Sequence, residues 1–248
     1  MDSQTIRPTT LVLQVHKFKN YSLIAQSVER RTVNPQVGGS NPPRGANYMK
    51  YTIIEDCSPY YIRFTFDGLE RIIDYASTVT LAHTAQFSIY SHDTVDVSTA
   101  NTIISMLPLA DDINFNSNRV AIFNTPPGGG CGIHKDGPDH RVSFNIPIEI
   151  LDNTCITNWY DDKEFKGMPI LGNPSYTRNI YFDYKTMDKF IPAKSMIAQN
   201  NEMILFNTDI YHSWNNTNSV NNRKVLTLRS VDPGSVYFED VRKILLGV

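Results

Sequence analysis

Short strand-like segments separated by turn residues fill the chain from about residue 119 to residue 230, and they constrain its fold more than any other feature. Apolar and polar residues alternate in several of these segments, and Gly, Pro, Asn or Asp stands between most of them. This pattern is typical of a β-sandwich or β-barrel. The predicted strands are Arg119–Asn124, Gly132–Asp136, Arg141–Ile148, Thr154–Tyr160, Met196–Gln199, Glu202–Asn207, Tyr211–Trp214 and Lys224–Ser230.

Two amphipathic segments precede the strands. Apolar residues at helical spacing predict a short helix around Leu69–Tyr75, and the same spacing predicts a second helix over Thr99–Leu109. Helices that come before a run of strands indicate a mainly β, α+β domain, in which N-terminal helices support the sheet. We therefore expect one domain over residues 49–248.

The composition excludes several classes of protein. No run of about 18 apolar residues exists, so we expect no membrane-spanning helix. The N-terminus has no secretory signal pattern, so we expect a cytoplasmic location. A net charge of −2 gives no strong indication of duplex nucleic-acid binding. Three cysteines without a CxxC pair argue against a disulfide framework and against a structural zinc cluster.

Residues 1–48 differ from the rest of the chain. They carry a net charge of +4, whereas residues 49–248 carry −6, and they show no sustained helical or strand period. A flexible basic arm would explain this composition. We prefer another explanation, in which Ala25–Arg30 and Gly38–Pro43 are the translation of a tRNA D-arm and T-arm, 13 codons apart between Ser27 and Ser40. Met49 would then begin the protein, and residues 1–48 would be a non-core, spurious segment.

Two of the predicted strands have one apolar and one polar face. Because side chains alternate along a strand, the apolar residues of Arg141–Ile148 share one face and the polar residues share the other. Two arrangements give this pattern: a half-buried strand with its polar side in water, and a barrel strand with its polar side turned inward to a ligand. The polar-side residues of the two strands are Arg141, Ser143 and Asn145, and Arg223, Thr227 and Arg229.

A candidate metal site begins at Gly132–Gly137, in which His134 and Asp136 lie two residues apart and share one strand face. His212 follows 76 residues later, after another apolar strand. Two histidines and one carboxylate form the facial triad of non-heme Fe(II) oxygenases. The alternatives are a surface pair of His134 and Asp136, and a triad in which His140 replaces His212.

An arginine follows the last candidate ligand. Arg223 lies 11 residues after His212 and opens the last predicted strand, and Arg229 has the same strand parity. A guanidinium binds a carboxylate through two parallel, charge-assisted hydrogen bonds, so either arginine could hold a dicarboxylate. A solvated strand end is the structural alternative for Arg223.

The order His-x-Asp, His, Arg resembles that of the Fe(II)/2-oxoglutarate-dependent oxygenases, over roughly Asn118–Ser230. The segments Gly132–Gly137, Ser143–Pro147 and Asn158–Tyr160 are similar to small phage-type proteins related to aspartyl/asparaginyl hydroxylases. The final strand also resembles the RxNxTxR strand of AlkB-type oxygenases, except that Val225 replaces the Asn.

The resemblance implies a double-stranded β-helix, or jelly roll, in the cytoplasm of a bacterium or of a phage-infected host. It implies Fe(II) as the metal and 2-oxoglutarate and O2 as cosubstrates. By the same resemblance, His134, Asp136 and His212 would be the catalytic iron ligands. The residues that would contact 2-oxoglutarate or orient it are Arg223 as the main anchor, Arg229, Arg141 and Asn145.

Two other functions fit parts of the pattern. A cupin-type protein would use the same barrel and metal without 2-oxoglutarate, and so would not need Arg223. A jelly-roll phage interaction protein would carry His134 and Asp136 as surface residues. For an oxygenase, the substrate classes compatible with the sequence are a protein side chain, a nucleobase and a small metabolite.

Removal of residues 1–48 tests the interpretation of the N-terminal segment. We expect a protein that begins at Met49 to have the melting temperature and metal affinity of the full chain, because the segment has no core-forming pattern. Thermal unfolding of both proteins measures this, and a loss of several degrees would show that the segment belongs to the fold. The genomic DNA provides a second check, since codons 25–46 are expected to fold into part of a tRNA cloverleaf.

Overall fold

The computed structural model describes residues 50–79, 83–86, 91–136, 140–151, 154–168, 177–179, 189–232 and 234–248. Residues 47–248 form one compact unit, and all the described residues belong to it. The predicted non-core segment 1–48 lies outside the described residues, so its assignment stays a prediction.

Thirteen strands and three α-helices make up the described part of this unit. The strands are β1 Thr52–Cys57, β2 Tyr61–Thr65, β3 His83–Gln86, β4 Ser91–Thr94, β5 Ala121–Thr125, β6 Gly130–Asp136, β7 Val142–Ile150, β8 Ile156–Tyr160, β9 Thr177–Asn179, β10 Lys194–Ile197, β11 Met203–Asn207, β12 Tyr211–Asn215 and β13 Arg223–Leu228. The helices are α1 Leu69–Ser77, α2 Val97–Ser105 and α3 Phe238–Leu246.

The strands form two antiparallel sheets between which the chain alternates. The larger sheet has the order β1-β2-β11-β7-β13-β5-β4-β3, and the smaller sheet has the order β10-β8-β12-β6-β9. From β5 onward, β5, β7, β11 and β13 lie in the larger sheet, whereas β6, β8, β10 and β12 lie in the smaller one, together with the short strand β9. This regular exchange between two facing sheets defines a double-stranded β-helix, so the predicted jelly-roll fold is confirmed.

The helices differ slightly from their predicted bounds. Helix α2 begins earlier than expected, because the Asp96 carboxylate accepts a hydrogen bond from the Thr99 amide and caps the first turn. It also ends before the predicted Leu109, because Pro108 cannot continue the helix and instead opens a 3-10 turn over Pro108–Asp111. Strands β1 to β4, strand β9 and helix α3 are not predicted by the sequence pattern.

The main hydrophobic core lies between the helices and the outer face of the larger sheet. Phe144 of β7 and Leu226 and Leu228 of β13 are fully buried there, and they belong to one cluster with residues of all three helices. The helical members include Ile72 of α1, Ile103 of α2 and Val241 of α3. Since the helices cover the apolar side of β7 and β13, the polar side turns toward the smaller sheet. Of the two arrangements that the alternation allows, the structure therefore has the one in which the polar side of the strands is turned inward.

A second apolar cluster fills part of the space between the two sheets. Trp159 of β8 is fully buried and stacks on Tyr61 with ring centroids 4.9 Å apart. Its ring also lies 4.7 Å from the ring of Phe206 in β11. This cluster joins the two sheets next to the candidate metal site, because Phe206 in turn contacts His212 with ring centroids 4.8 Å apart.

Among the described residues, no helix is both long enough and apolar enough to cross a membrane.

Candidate metal centre

Two neighbouring strands of the smaller sheet bring the candidate ligands together. Strands β6 and β12 pair antiparallel with His134 directly opposite His212, and the two imidazole centroids lie 4.3 Å apart. Asp136 follows His134 by two residues and therefore leaves the same face of β6. One possible ligand atom from each residue lies within 4.8 Å of the other two. In the described part of the chain, no other group of three His, Cys, Asp or Glu side chains approaches this closely.

Backbone carbonyls orient both imidazoles. Nδ1 of His134 lies 2.8 Å from the carbonyl oxygen of Gly132, and Nδ1 of His212 lies 2.8 Å from that of Ile210. A carbonyl only accepts hydrogen bonds, so we assign the proton to Nδ1 in both rings. Nε2 of each ring is then the atom left to bind a metal, as in sites where a backbone partner fixes the tautomer of a ligating histidine.

Asp136 divides its two carboxylate oxygens between different partners. Oδ2 accepts a hydrogen bond from Nη2 of Arg229 at 2.8 Å, whereas Oδ1 lies 3.7 Å from Nε2 of His134. Burial alone would raise the pKa of Asp136, but the Arg229 guanidinium and the two imidazoles outweigh burial and lower it to about 2. Asp136 is therefore a carboxylate at neutral pH, with Oδ1 on the side of the two histidines.

The two histidines have opposite pKa shifts. Burial and the neighbouring His134 lower the pKa of His212 to about 3, so this ring is neutral at neutral pH. Burial also acts to lower the pKa of His134, but the Cys131 sulfur and the Asp136 carboxylate outweigh it and raise this pKa to about 9. Sγ of Cys131 lies 3.7 Å from Nδ1 of His134. Cys131 was not among the predicted site residues, although it lies only three residues before His134.

The donor set fits a divalent transition metal. Two imidazole nitrogens and one carboxylate oxygen on one side of an octahedral ion leave three positions for other ligands, which is the arrangement of the non-heme Fe(II) triad. The competing ligand His140 lies elsewhere, because its ring nitrogens are 3.0 and 3.1 Å from Nη1 of Arg119. The predicted ligands His134, Asp136 and His212 are thus brought together, and His140 is not among them.

Arg223 lies on the inner side of the larger sheet and lacks a hydrogen-bond partner for a buried donor. Its Nε is buried without a partner among the described residues. Thr125 pairs with Arg223 in the register of β5 and β13, and its buried hydroxyl also lacks a partner in the described part of the chain. Buried polar atoms in native proteins are nearly always hydrogen-bonded. The two donors could therefore bind an acceptor group of a ligand.

The other predicted cosubstrate residues have protein partners. Asn145 accepts hydrogen bonds from the Ser143 and Thr227 hydroxyls at 2.9 and 3.0 Å, which forms a small polar network on the inner face of β7 and β13. Arg229 is bound to Asp136, as described above. Both residues therefore lie on the inner side of the larger sheet, which is one of the two arrangements that the strand alternation allows.

Arg141 does not share this environment. Its guanidinium donates to the Gly234 carbonyl at 3.0 Å, pairs with Asp209 at 3.1 Å and lies over the Tyr237 ring. Arg141 precedes β7, so the strand alternation does not extend to it. Its contacts tie the turn between β11 and β12 to the segment after β13, and they include none of the three candidate ligands.

A row of aromatic rings that the sequence analysis did not identify links the triad to β5. The ring of Trp214 lies 5.7 Å from that of His134 and 6.2 Å from that of Phe123. Phe123 in turn stacks on His92 with centroids 4.6 Å apart. The signal was present in the chain, because Trp214 shares the strand parity of His212 and Phe123 shares that of Thr125. The row places Arg223 and Thr125 on the same interior space as the triad.

No protein-family model matches the chain, and no curated protein sequence matches it. Solved structures do match. An oxidoreductase of the 2OG-Fe(II) oxygenase family from Burkholderia pseudomallei is 13% identical, and the match covers 68% of this chain and 82% of that chain with a TM-score of 0.41. HygX from Streptomyces hygroscopicus, with nickel and 2-oxoglutarate bound, is 8% identical over 68% of this chain and 81% of that chain, with a TM-score of 0.46.

A third match is the oxalate decarboxylase of Bacillus subtilis. It is 7% identical over 60% of this chain and 28% of that chain, with a TM-score of 0.33. At this level of similarity, the function has to be argued from the side chains of the site.

Alanine substitutions test the candidate ligands. We expect His134→Ala, Asp136→Ala and His212→Ala each to abolish most Fe(II) binding, because each removes one of three protein donors. Anaerobic titration with Fe(II), followed by calorimetry, measures the affinity, and circular dichroism checks the fold. His140→Ala is the matched control and should bind Fe(II) as the wild type does. Loss of binding in His140→Ala with retention in His212→Ala would assign the triad differently.

The raised pKa of His134 predicts proton release on metal binding. His212 is neutral above about pH 4, whereas His134 is protonated up to about pH 9, so between these limits the metal displaces one proton. Apparent Fe(II) affinity should then rise about tenfold per pH unit in this window. Calorimetry at one pH in two buffers of different ionisation enthalpy counts the protons. Release of no proton at pH 7 would contradict the raised pKa of His134.

Proposed function

We propose that this protein is an Fe(II)- and 2-oxoglutarate-dependent oxygenase that hydroxylates its substrate. The observation that carries the proposal is the combination of two features on one interior space. The first is a triad of two histidines and a carboxylate with their ligand atoms turned toward one another. The second is the buried Nε of the half-buried Arg223 together with the buried hydroxyl of Thr125, two atoms without hydrogen-bond partners in the described part of the chain.

His134, Asp136 and His212 would hold the iron. When bound, Fe(II) would supply the activation of O2 that couples the conversion of 2-oxoglutarate to succinate and CO2 with oxidation of a substrate. The protein prepares this site before the metal arrives, because the carbonyls of Gly132 and Ile210 already present Nε2 of both rings. Such fixed orientation of the ligands limits the conformational cost of binding.

Arg223 and Thr125 would bind the distal carboxylate of 2-oxoglutarate. The guanidinium offers a planar pair of donors, and the hydroxyl of Thr125 adds a further donor on the facing strand. Leaving such donors buried and unpaired is unfavourable, and a carboxylate would satisfy both. Among the described acidic groups, none forms an ion pair with Arg223, so the cation does not have to give up a protein partner.

Arg229 would hold the metal ligand Asp136 in place and would not bind 2-oxoglutarate. Its guanidinium holds Oδ2 of Asp136 at 2.8 Å and is the main reason that the pKa of this carboxyl lies near 2. Oδ1 is thereby left for the metal, and the carboxylate stays ionised in a largely buried site. This division of tasks favours Arg223 over Arg229 as the anchor of 2-oxoglutarate.

The aromatic row would shield the reacting centre from water. Trp214 contacts His134 and Phe123, so its indole closes one side of the interior between the triad and β5. Exclusion of water strengthens the electrostatic contacts of a bound carboxylate. The proposal includes a relationship to phage-type aspartyl/asparaginyl hydroxylase-like proteins, a protein side chain as the substrate and a cytoplasmic location. Nucleobases and small metabolites are the other substrate classes.

An arginine substitution tests the cosubstrate site. We expect Arg223→Ala to weaken 2-oxoglutarate binding at least about tenfold, because loss of a charge-assisted contact costs about 1.5–3 kcal/mol. Fe(II) affinity should stay the same. Arg223→Lys should recover part of the loss, since an ammonium keeps the charge without the planar pair of donors. Calorimetry with 2-oxoglutarate on the oxygen-free, Fe(II)-loaded protein measures the effect.

Arg242→Ala is the matched control, because Arg242 pairs with Asp56 and Glu239 at the surface. This variant should bind 2-oxoglutarate as the wild type does. Equal affinities of wild type and Arg223→Ala, with a large loss in Arg229→Ala, would move the anchor to Arg229. A wild-type protein that binds Fe(II) but no 2-oxoglutarate at millimolar concentration would contradict the oxygenase and leave the cupin-type function.

A further inference from the structure

A cavity of about 310 Å³ lies on the outer face of the larger sheet, beside the C-terminal half of α1. Residues of β4, β5, β7 and β13 form its floor, and Ala76, Ser77 and Val79 cover one side. It faces away from the metal centre, because the floor residues have the opposite strand parity to those of the interior. Asn124 lies between Phe123 and Thr125, and Lys224 follows Arg223. The volume falls within the range of small-molecule sites.

A buried carboxylate lines this cavity without a donor for one of its oxygens. Asp93 of β4 is only 4% exposed, and its Oδ1 has no hydrogen-bond partner among the described residues. Its other oxygen accepts one hydrogen bond, from the Ser91 hydroxyl at 3.2 Å. A buried carboxylate oxygen without a donor is unfavourable, so Oδ1 of Asp93 can take a donor from a bound molecule.

A second acceptor points to the same requirement. Oδ1 of Asn124 also lines the cavity region, is buried, and has no partner in the described part of the chain. Asn124 lies opposite Ser91 in the pairing of β4 with β5, and Asp93 lies opposite Ile122, so both side chains leave the same face two residues apart. The site thus presents two neighbouring acceptors.

The one lysine that lines the cavity does not meet this requirement. Nζ of Lys224 forms an ion pair with Glu149 at 2.5 Å, on the rim formed by β7 and β13. Its charge is therefore balanced by Glu149, while Asp93 keeps its unpaired oxygen. Apart from Ser77, the remaining walls are apolar and are contributed by Ala76, Val79, Ile122 and Ile148. The cavity combines an acidic end, at which two acceptor oxygens are unpaired among the described residues, with a short hydrocarbon lining.

We propose that this cavity binds a small molecule with a primary ammonium group and a short aliphatic body. An ammonium carries three donors and a positive charge, and could donate to Oδ1 of Asp93 and to Oδ1 of Asn124 at the same time. The hydrocarbon body would pack against the walls contributed by α1, β5 and β7. This binding site is separate from the proposed iron and 2-oxoglutarate site and does not depend on it.

Titration with n-butylammonium chloride tests the proposal on the full-length protein. Ligand-observed NMR and calorimetry measure its affinity, and n-butanol serves as the neutral probe of the same shape. We expect n-butylammonium to bind at least about tenfold more tightly than n-butanol. Absence of n-butylammonium binding at tens of millimolar, or equal binding of n-butanol, would overturn the proposal.

Substitution of Asp93 tests whether the binding occurs in this cavity. We expect Asp93→Asn to reduce n-butylammonium affinity at least about tenfold, because the amide keeps the shape and loses the charge. Its melting temperature without ligand should equal or exceed that of the wild type, since an unpaired buried charge is removed. Asp67→Asn, at an exposed position, is the matched control and should bind as the wild type does.

Ala76→Leu tests the cavity itself, because the larger side chain on α1 would fill it. We expect this variant to lose n-butylammonium binding. This variant keeps the proposal testable if Asp93→Asn does not fold. Unchanged binding in either folded variant would contradict the assignment of the ligand to this cavity.

Discussion

The antiparallel pairing of β6 with β12 is the interaction on which the candidate site depends. It sets His134 directly opposite His212 and brings Asp136 onto the same face, although the two histidines are 78 positions apart in the chain. A shift of this register by one residue would turn one histidine to the other face of the smaller sheet. The register is stabilised by the neighbouring strand β8, whose Trp159 lies opposite His212 and packs between the sheets.

The burial of one face of β7 and β13 under the helices determines where the polar chemistry lies. Phe144, Leu226 and Leu228 are buried against the helices, so the alternate positions face the interior between the sheets. Asn145, Thr227 and Arg223 reach that interior as a consequence of strand geometry. The same alternation places Asn124 and Lys224 on the outer face, where they line the separate cavity.

The sequence predicted eight of the thirteen described strands, including β6 and β12, and the residues that form the triad, because both depend on local alternation. The order of the ligands along the chain, His134, Asp136 and then His212, can also be recognised without knowledge of the fold. Contacts between distant segments could not be predicted in the same way. The ion pair of Arg229 with Asp136 joins residues 93 positions apart, and the orphaned hydroxyl of Thr125 becomes notable only when β5 lies next to β13.

Strands β3 and β4 and the residue Arg141 also show where local alternation fails to predict the structure. The short strands β3 and β4 carry little alternation, and they are defined by pairing with each other and with β5. Arg141 was grouped with Ser143 and Asn145 by parity, yet it precedes the first paired residue of β7 and contacts Asp209 and Gly234. Parity predicts the direction of a side chain only where the ladder holds the backbone extended.

Formation of succinate from 2-oxoglutarate tests the central claim most directly. The full-length protein would be supplied with Fe(II), 2-oxoglutarate and O2, alone and with peptide, nucleoside and small-metabolite substrates, and succinate would be quantified by mass spectrometry. The proposed function predicts succinate that requires all three additions, disappears in His212→Ala and persists in His140→Ala. Absence of succinate from the Fe(II)-loaded wild type under every condition, or equal yields from His212→Ala, would contradict an oxygenase built on this triad.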